Sequence, residues 1–383
     1  MRIALVSDTF TPQVNGVTTV VVRIATVLRE FGHHVAVVAP RYPGHVSTDP
    51  AELRVPSAAF PPYPAIRLSL PQFGAVARFL DAFKPDLVHV ATEGPLGLTG
   101  RRYAVRRGIP LVTSYHTNFP QYARHYGAGL VEPLVWKWLR WFHRPAVLTQ
   151  TPGEAVADQL QRRGIGRPVV WGRGVDTVHF HPERRSTGWR RWLAGGDDTA
   201  IVLHVGRLAP EKNIDVLAAA WIAARERVGQ RATFVLAGEG PETRRLLTHL
   251  PWVRQLGFLD RGKLADVYAS ADICVLPSKT ETCGLVALEA MASGLAVVAA
   301  DAGGFRESIT NGQSGILVAP EDTTGFAAEI LSLVIAPQRR ADIATAARAA
   351  ALARDVAPEN LELLQQYTTA AGLSEAGATP CAA

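Results

Sequence analysis

The sequence has few cysteines and methionines and no long apolar run. Its 383 residues include 3 cysteines and 2 methionines. Such a sparse, odd set without metal-ligand spacing argues against a disulfide scaffold or a zinc site, and it predicts a reducing, cytoplasmic compartment. No stretch of about 18 uninterrupted apolar residues occurs, so we predict no transmembrane helix. The N-terminus runs straight into an apolar strand at Arg2, which predicts no secretory leader.

Three common binding motifs are also missing. No G-x-G-x-x-G follows a strand, which argues against a nicotinamide or flavin enzyme. The run that starts at Gly257 resembles a phosphate-binding P-loop, but Leu264 stands where a Ser or Thr would hold magnesium. We interpret it as a loop in which Asp260 caps a helix. No Asp-x-Asp pair occurs, so we expect neither a metal-held diphosphate nor any other metal or cofactor.

Charge is distributed unequally along the chain. Residues 1–190 hold 23 Lys and Arg against 12 Asp and Glu, whereas residues 191–383 hold 17 against 22. In the basic half, the run Trp136–Arg144 mixes cations with aromatic side chains that favour interfaces. We expect this half to bind an anionic membrane surface from the cytoplasmic side. A solvated helix face over an aromatic core is the alternative, and nucleic acid is not expected because no nucleic-acid-binding motif is present.

Hydrophobic runs predict the fold class. Short β-branched runs alternate with helical stretches, which is typical of an α/β protein whose parallel sheets are covered on both faces. A chain of this length exceeds one core, so we predict two doubly wound, Rossmann-like domains that face each other across a cleft. The predicted parts are residues 1–180, residues 199–355 and a C-terminal segment at residues 356–383. That segment is a helix that can cross back to the first domain, followed by a flexible tail. A linker is predicted within residues 172–198.

The most informative run extends from Pro277 to Gly294. It reads as a strand end, a loop and a helix that opens near Gly284. The unbonded N–H groups of Gly284, Leu285 and Val286, together with the helix dipole, predict an anion site that suits a diphosphate.

Charged side chains flank the predicted anion site. Glu281 lies just before it and Glu289 lies in the helix, so two carboxylates can bind hydroxyl groups on either side of a diphosphate. Arg207 and Lys212 occupy the first strand-to-helix loop of the second half, where two cations can neutralise a leaving diphosphate. Solvated glutamates on a capped helix and surface salt bridges are the alternatives.

The first half carries candidate residues in two loops. Gly16 opens the first helix, so that its backbone can approach a phosphate or sugar closely. His116 directly follows a predicted strand, and a histidine at a strand end is a candidate functional group. A plain Asn-Gly turn and a histidine satisfied within the core are the alternatives.

Taken together, these elements resemble glycosyltransferase family 4, whose members are retaining enzymes of the GT-B fold. Glu281 and Glu289 fit the family's Glu-x7-Glu signature, and Arg207 and Lys212 fit its Gly-Arg-x4-Lys element. The run 302–315 resembles the family's closing segment.

Two further runs, 114–119 and 172–177, resemble those of bacterial glycolipid enzymes, which include mannosyl-, glucosyl-, glucuronosyl- and sulfoquinovosyltransferases. The resemblance implies a metal-independent hexosyltransferase that uses GDP-mannose or a UDP-hexose. Its implied acceptor is a membrane lipid or glycolipid such as diacylglycerol or phosphatidylinositol, bound by the N-terminal domain.

The resemblance also implies roles for individual residues. Arg207 and Lys212 would hold the diphosphate, and Glu289 would bind the ribose. The residues implied to act in catalysis are Arg207, Lys212, Glu281 and His116. Glu281 and His116 would bind the donor sugar. The other residues implied at the donor site are Gly16, Gly257, Phe258, Gly284, Leu285 and Val286, and those implied on the acceptor side are Asp8, Asn15 and Asn118.

Two departures from the family pattern leave the donor's base and sugar open. Cys283 stands where such enzymes often carry an aromatic residue, and Asn15 precedes Gly16 where many have a second glycine. A nucleotide-sugar 2-epimerase of similar fold and a non-catalytic nucleotide-sugar-binding protein are the alternative functions.

Overall fold

The structure is a computed structural model that describes residues 1–13, 15–60, 63–70, 72–116, 132–172, 174–194 and 198–373. The chain forms two compact units. The first unit comprises Met1–Gly172 together with Pro358–Ala383, and the second comprises Arg173–Ala357.

The first unit is built on a parallel sheet. The strands of this unit are β1 (Arg2–Val6), β2 (His34–Pro40), β3 (Glu52–Val55), β4 (Ser57–Phe60), β5 (Tyr63–Ser69), β6 (Leu87–Val90), β7 (Leu111–Ser114), β8 (Leu148–Thr151) and β9 (Pro168–Val170). Seven of them form the sheet in the order β3-β2-β1-β6-β7-β8-β9, while β4 and β5 pair as an antiparallel hairpin. Among the described residues, the helices of this unit are α1 (Gly16–Glu30), α2 (Phe73–Phe83), α3 (Pro95–Arg107), α4 (Glu132–His143), α5 (Glu154–Arg162) and all but the first two residues of the C-terminal helix (Val356–Ala370).

Both faces of the first sheet are covered, because alternate residues of a strand point to opposite faces. Ile3 and Leu5 of β1 enter a core that includes residues of α1 and the C-terminal helix. Ala4 and Val6 enter a second core on the other face, with residues of α2 and α3. This two-sided burial explains why the strands read as continuous apolar runs.

The second unit repeats the architecture with six parallel strands. They are β10 (Ala200–Val205), β11 (Ala232–Ala237), β12 (Arg254–Gln255), β13 (Ile273–Leu276), β14 (Ala296–Ala300) and β15 (Ile316–Val318), in the order β12-β11-β10-β13-β14-β15. The helices are α6 (Thr187–Ala194), α7 (Ile214–Val228), α8 (Thr243–His249), α9 (Arg261–Ser270), α10 (Leu285–Ala292), α11 (Phe305–Ser308), α12 (Thr323–Ile335) and α13 (Pro337–Leu352). The prediction of two doubly wound, parallel-sheet domains is confirmed.

Each sheet reverses its strand order at its first strand. β1 lies between β2 and β6, and β10 lies between β11 and β13. In doubly wound sheets, ligands bind outside the carboxyl ends of the strands at such a reversal. The loops that follow β1 and β6 in one unit, and β10 and β13 in the other, are therefore the places to look for function.

The division between the units falls earlier than the predicted end of the first domain at residue 180. The segment predicted as a linker carries α6 and supplies Val175, Phe180 and Leu193 to the core of the second unit. Strands β3, β4 and β5 were not predicted either. They contain few β-branched residues, which are the signal on which strands are predicted.

The C-terminal helix belongs to the first unit. Leu363 and Tyr367 are buried in the core of that unit, and the indole N–H of Trp171 donates to the Glu359 carbonyl at 2.8 Å. The predicted tail from residue 374 lies outside the described residues.

Candidate functional site

The loop after β10 carries two cations and is tied to the loop after β13. Arg207 follows β10 closely, and Lys212 ends the 3-10 turn Pro210–Lys212. Arg207 contacts the carboxylate of Glu211, whose side chain is fully buried. The Glu211 carbonyl accepts a hydrogen bond from the Thr280 hydroxyl at 3.0 Å, so the two loops hold each other in place.

The ammonium group of Lys212 contacts the carboxylate of Glu281. Burial alone would raise the pKa of Glu281, but the charge and hydrogen bond of Lys212 hold that pKa below its ordinary value. The two side chains remain 21% and 16% exposed. An ionised carboxylate and a cation are thus presented together at the reversal point of the second sheet.

Helix α10 begins next to this pair with unbonded N–H groups. Gly284 precedes it in the left-handed region at φ 72°, and no side chain caps the helix. Within the described part of the chain, no acceptor is bonded to the N–H of Leu285 or Val286. Such N–H groups at the positive end of a helix dipole attract an anion.

Two glycines pack closely against the loop that carries Glu281. A Cβ on Gly303 would lie 2.2 Å from the Glu281 carbonyl oxygen, and a Cβ on Gly304 would lie 2.5 Å from the carbonyl carbon of Cys283. The Gly304 N–H donates to the Glu281 carbonyl at 2.9 Å. The glycine pair in the segment 302–315 therefore allows the loop to pack closely onto its neighbour.

Glu289 is half-buried beside a tyrosine. The Tyr268 hydroxyl lies 3.3 Å from a Glu289 carboxylate oxygen. Burial raises the pKa of Glu289 to about 7, although the charge of Arg261 opposes this shift. The pKa of Tyr268 is raised by its own burial first, and then by the charges of both Glu289 and Glu281. Both carboxylates of the predicted pair therefore act on one buried tyrosine.

The loop after β12 presents an aromatic ring. Gly257 adopts φ 65°, and its carbonyl accepts the N–H of Gly238 at 2.8 Å. Phe258 is 59% exposed, so its ring is available for stacking. The carboxylate of Asp260 accepts the N–H of Lys263 at 2.9 Å, which confirms that it caps α9.

His204 was not singled out from the sequence. It is buried in β10, and its Nδ1 lies 2.8 Å from the carbonyl of Val275, which can only accept, so Nδ1 carries the proton. Burial lowers the pKa of His204 to about 4, and the charge of Lys212 adds to that shift. The imidazole is therefore neutral near neutral pH. A histidine within an apolar strand next to a cationic loop was the available signal.

Asp8, predicted on the acceptor side, caps a helix in the first unit. Its carboxylate oxygens accept the N–H groups of Leu96 and Gly97 at 2.8 and 3.1 Å, at the start of α3. The Thr92 hydroxyl also donates to it at 2.8 Å. Burial raises the pKa of Asp8, although these hydrogen bonds oppose the shift.

Asn15 and Gly16 begin α1. The Asn15 side chain accepts the N–H of Thr18 at 2.8 Å and donates to the Thr9 hydroxyl at 2.9 Å, so it is engaged within its own loop. No atom lies within 4 Å of the position that a Cβ on Gly16 would occupy. The backbone of Gly16 is therefore open to close approach by a ligand.

His116 lies just beyond β7 and is partly buried. Burial lowers the pKa of His116 to about 4, which keeps the imidazole neutral near neutral pH. Asn118, the third residue predicted on the acceptor side, lies outside the described residues.

A buried acid-histidine pair in the first unit was also not foreseen. Glu93 lies 3.4 Å from His143 Nε2, and His143 Nδ1 lies 2.9 Å from the Thr113 hydroxyl. Burial raises the pKa of Glu93. The His143 ring also meets the ring of Tyr115, the residue before His116, edge to face at 6.3 Å. Neither Glu93 nor His143 stands out in the sequence, because their pairing depends on the tertiary fold.

Within the described residues, the structure connects some of the predicted residues with one another. In the second unit, Lys212 contacts Glu281, and Arg207 contacts Glu211, whose carbonyl is bonded to the Glu281 loop through Thr280. Glu289 is bonded to Tyr268, whose pKa the charge of Glu281 also raises. In the first unit, the candidates lie in the loops after β1 and β7. Across the described ranges, no three His, Cys, Asp or Glu side chains are grouped so that they could hold a metal ion. No helix in those ranges is both long and apolar enough to cross a bilayer.

Comparison with known proteins agrees with this architecture. A family described as "Glycosyltransferase Family 4" matches residues 14–179, and one described as "Glycosyl transferases group 1" matches residues 199–335. The solved structure of the Anabaena protein HepE in complex with UDP-glucose superposes with a TM-score of 0.73 at 22% identity. That similarity covers 96% of this chain and all of that one, and it shows the fold.

Curated relatives extend along the whole chain. A GDP-mannose-dependent alpha-mannosyltransferase of Mycobacterium tuberculosis is 36% identical over 381 residues, which cover 97% of each chain. A GDP-mannose-dependent alpha-(1-6)-phosphatidylinositol dimannoside mannosyltransferase of the same species is 31% identical and covers 92% of this chain and 94% of that one. The chain is a glycosyltransferase with the GT-B fold, and it belongs to glycosyltransferase family 4.

Proposed function

We propose that the protein transfers mannose from GDP-mannose to a membrane glycolipid with retention of configuration, and that it needs no metal ion. One observation carries this proposal. The Lys212–Glu281 ion pair and the uncapped amino end of α10 both lie at the reversal point of the second sheet. The choice of GDP-mannose rests on the two mannosyltransferases that align with nearly the whole chain.

The diphosphate of the donor binds at the amino end of α10. The N–H groups of Leu285 and Val286 donate to its oxygens, and Arg207 and Lys212 supply the positive charge that a metal ion supplies in other enzymes. Gly16 of the first unit lets its backbone approach the diphosphate closely, because the space beside its Cα is open.

Two carboxylates bind the hydroxyl groups of the donor. Glu289 accepts hydrogen bonds from the ribose, and Glu281 accepts them from the sugar. Because the Lys212 charge keeps Glu281 ionised, this carboxylate remains a hydrogen-bond acceptor at neutral pH. Phe258 lies along the base and His116 donates to the sugar near its reacting carbon.

Transfer proceeds by displacement on the face from which the diphosphate departs. The bond between the anomeric carbon and the phosphate oxygen breaks as the acceptor oxygen bonds to that carbon, and the departing phosphate takes the acceptor proton. Arg207 and Lys212 stabilise the negative charge that develops on the leaving group. Mannose that is α-linked in the donor is thus α-linked in the product, as the "alpha" in the names of both relatives implies.

A glycolipid acceptor requires that the enzyme reach a membrane. Helix α4 exposes Trp138 and Trp141 by 39% and 45%, and the guanidinium of Arg101 stacks 3.8 Å from the centroid of the Trp141 ring. Paired tryptophans and cations suit the headgroup region of an anionic bilayer. We propose that this aromatic face, together with the excess of Lys and Arg in the first half, binds the membrane peripherally.

A transfer assay tests the function. Purified protein is incubated with radiolabelled GDP-mannose and with radiolabelled UDP-glucose, each with vesicles that contain phosphatidylinositol mannosides and with EDTA present. We expect label to move from GDP-mannose into the organic phase as an α-mannoside. Transfer from UDP-glucose alone would overturn the donor assignment, and transfer only after Mg²⁺ is added would overturn metal independence.

Vesicle sedimentation tests the membrane face. The wild type and the double variant Trp138→Ser/Trp141→Ser are centrifuged with phosphatidylcholine vesicles. One set of vesicles contains anionic lipid and the other does not. We expect the wild type to sediment only with anionic vesicles and the double variant to stay in solution. Trp192→Ser, which alters an exposed tryptophan of the second unit, is the matched control and should sediment like the wild type. Equal sedimentation of all three proteins would contradict the proposal.

A further inference from the structure

A line of polar side chains crosses the sheet of the first unit beneath the C-terminal helix. His89, Ser114 and Gln150 lie on the adjacent strands β6, β7 and β8, and all three are fully buried. Alternation along β7 and β8 places them on the same face as Val112 and Leu148, which belong to the core shared with the C-terminal helix. Buried polar groups in the middle of a sheet need partners, and here the partners come from that helix.

The groups form one continuous chain of hydrogen bonds. The Tyr367 hydroxyl of the C-terminal helix bonds to His89 Nδ1, and His89 Nε2 lies 2.7 Å from the Ser114 hydroxyl. The Ser114 hydroxyl donates to the Gln150 carbonyl oxygen at 3.4 Å. The Gln150 amide then donates at 2.9 Å to Gln366, the neighbour of Tyr367 on the same helix.

The far end of the chain fixes the position of every proton in it. The Gln366 amide donates to the backbone carbonyl of Val170 at 3.3 Å, and a carbonyl can only accept. Gln366 must therefore present its oxygen to Gln150, and Gln150 must present its own oxygen to Ser114. The Ser114 hydroxyl proton is therefore donated to Gln150, and the Ser114 oxygen can only accept from His89. His89 consequently carries its proton on Nε2 and accepts the Tyr367 hydroxyl proton at Nδ1.

The middle of this chain of hydrogen bonds lies close in sequence to a residue assigned to the reaction. Ser114 is the last residue of β7, and His116 follows it two positions later. Burial lowers the pKa of His89 to about 3, and the charge of His116 adds to that shift, so the two imidazoles lie close enough to interact electrostatically.

We propose that Tyr367, His89, Ser114, Gln150 and Gln366 are positioning residues, which hold the carboxyl end of β7 so that His116 meets the donor sugar correctly. The inference rests on the proposed role of His116 in the reaction. The C-terminal helix then helps to position His116 within the first unit, because this helix both starts and ends the chain of hydrogen bonds. These side chains touch neither donor nor acceptor.

The helix has other anchors, so the chain can be broken without releasing it. Trp171 donates to the carbonyl of Glu359, and Arg23 bonds to Glu359 and Asn360 at about 3 Å in each case. Leu363 is buried in the shared core as well. A single change at position 366 should therefore leave the helix docked.

Gln366→Ala tests the proposal, with Gln365→Ala as the matched control. Gln365 is the preceding residue on the same helix and is exposed. We expect Gln366→Ala to lower kcat for mannose transfer by about 10- to 100-fold, because a reacting group misplaced by 1 Å loses that much. The KM for GDP-mannose should change by less than about twofold, since most of the donor's contacts are in the second unit.

The kcat and the melting temperature together distinguish a positioning role from a purely structural one. Gln365→Ala should match the wild type in kcat and in melting temperature. If Gln366→Ala lowers the melting temperature and leaves kcat unchanged, the chain is structural only and the inference is overturned. If the wild type itself transfers no sugar, the proposed function is wrong. That result differs from a wild type that transfers sugar and a Gln366→Ala variant that does so equally well.

Nitrogen-15 NMR of histidine-labelled protein tests the direction of the hydrogen bonds. The His89 signals, assigned with His89→Gln, should show a protonated Nε2 and a bare Nδ1 between pH 6 and 8. Tyr367→Phe should change the Nδ1 shift and lower kcat together. A proton on Nδ1 of His89 in the wild type would overturn the directed chain.

Discussion

Lys212 and Glu281 form an ion pair although 69 residues separate them in the sequence. Lys212 ends the turn after β10 and Glu281 lies in the loop after β13, and these two strands are neighbours where the second sheet reverses. The pair is therefore a product of topology, which brings a cation and a carboxylate to the amino end of α10.

Replacing Lys212 should abolish most of the affinity for the donor. Lys212→Met removes a charge that binds the diphosphate and leaves Glu281 without its counter-charge, so we expect GDP to bind about 10- to 100-fold more weakly. Isothermal titration calorimetry measures this directly. Lys279→Met is the control, because Lys279 is two residues from Glu281 but pairs at the surface with Glu321. An equal loss in both variants would mean that general charge, not this site, attracts GDP.

Replacing Arg207 should affect turnover more than binding. Arg207 contacts the buried Glu211, and its positive charge can follow the charge that develops on the leaving diphosphate. Arg207→Ala is expected to lower kcat by about 10²-fold while the KM for GDP-mannose rises only severalfold. Steady-state kinetics with varied donor measure both values. Wild-type turnover in this variant would remove Arg207 from the mechanism.

The stability of the second unit should depend on pH through Glu289. Burial raises the pKa of Glu289 from 4.5 to about 7. Between these values the folded state keeps a proton that the unfolded chain has lost, so the free energy of unfolding falls as pH rises through this window. Glu289→Gln has no such titration. Its free energy of unfolding relative to the wild type should therefore rise by about 1–3 kcal/mol from pH 4.5 to pH 8.

Urea unfolding at several pH values measures this difference without any ligand. Glu362→Gln, which changes an exposed glutamate of the C-terminal helix, should track the wild type at every pH. If Glu289→Gln tracks it as well, then Glu289 is not held in a buried environment.

A methyl group at Gly304 should disturb the loop that carries Glu281. Gly304 has φ −63°, so alanine suits its backbone, but the new Cβ would lie 2.5 Å from the Cys283 carbonyl carbon. We expect Gly304→Ala to lower the free energy of unfolding by about 1–3 kcal/mol and to weaken GDP binding. Gly74→Ala, on the open side of α2, should be neutral or slightly stabilising. Unchanged GDP affinity in Gly304→Ala would show that the close packing of this loop against Gly304 does not affect GDP binding.

The fold and the candidate residues of the second unit were predictable from the sequence. Apolar strands alternating with helices indicate a doubly wound sheet, and the ends of its strands then bring together Arg207, Lys212 and Glu281. The local order of loop, glycine and helix at Gly284 also has a fixed physical meaning, since free N–H groups at a helix start attract anions.

The polar groups inside the first unit were not predictable in the same way. His89 and Tyr367 are 278 residues apart, and neither interrupts the apolar pattern enough to indicate a partner. The family resemblance implied Asp8 on the acceptor side, and its oxygens accept from the start of α3. Packing between distant segments decides which hydrogen-bond partner a buried polar residue has. The periodicity of the sequence does not indicate that partner.

The most direct test of the central claim is a crystal structure of the protein with GDP. The account predicts that phosphate oxygens of the diphosphate lie about 3 Å from the N–H groups of Leu285 and Val286, with Lys212 in contact and Glu289 on the ribose. Density for the diphosphate at any other place, with the amino end of α10 occupied only by solvent, would contradict it.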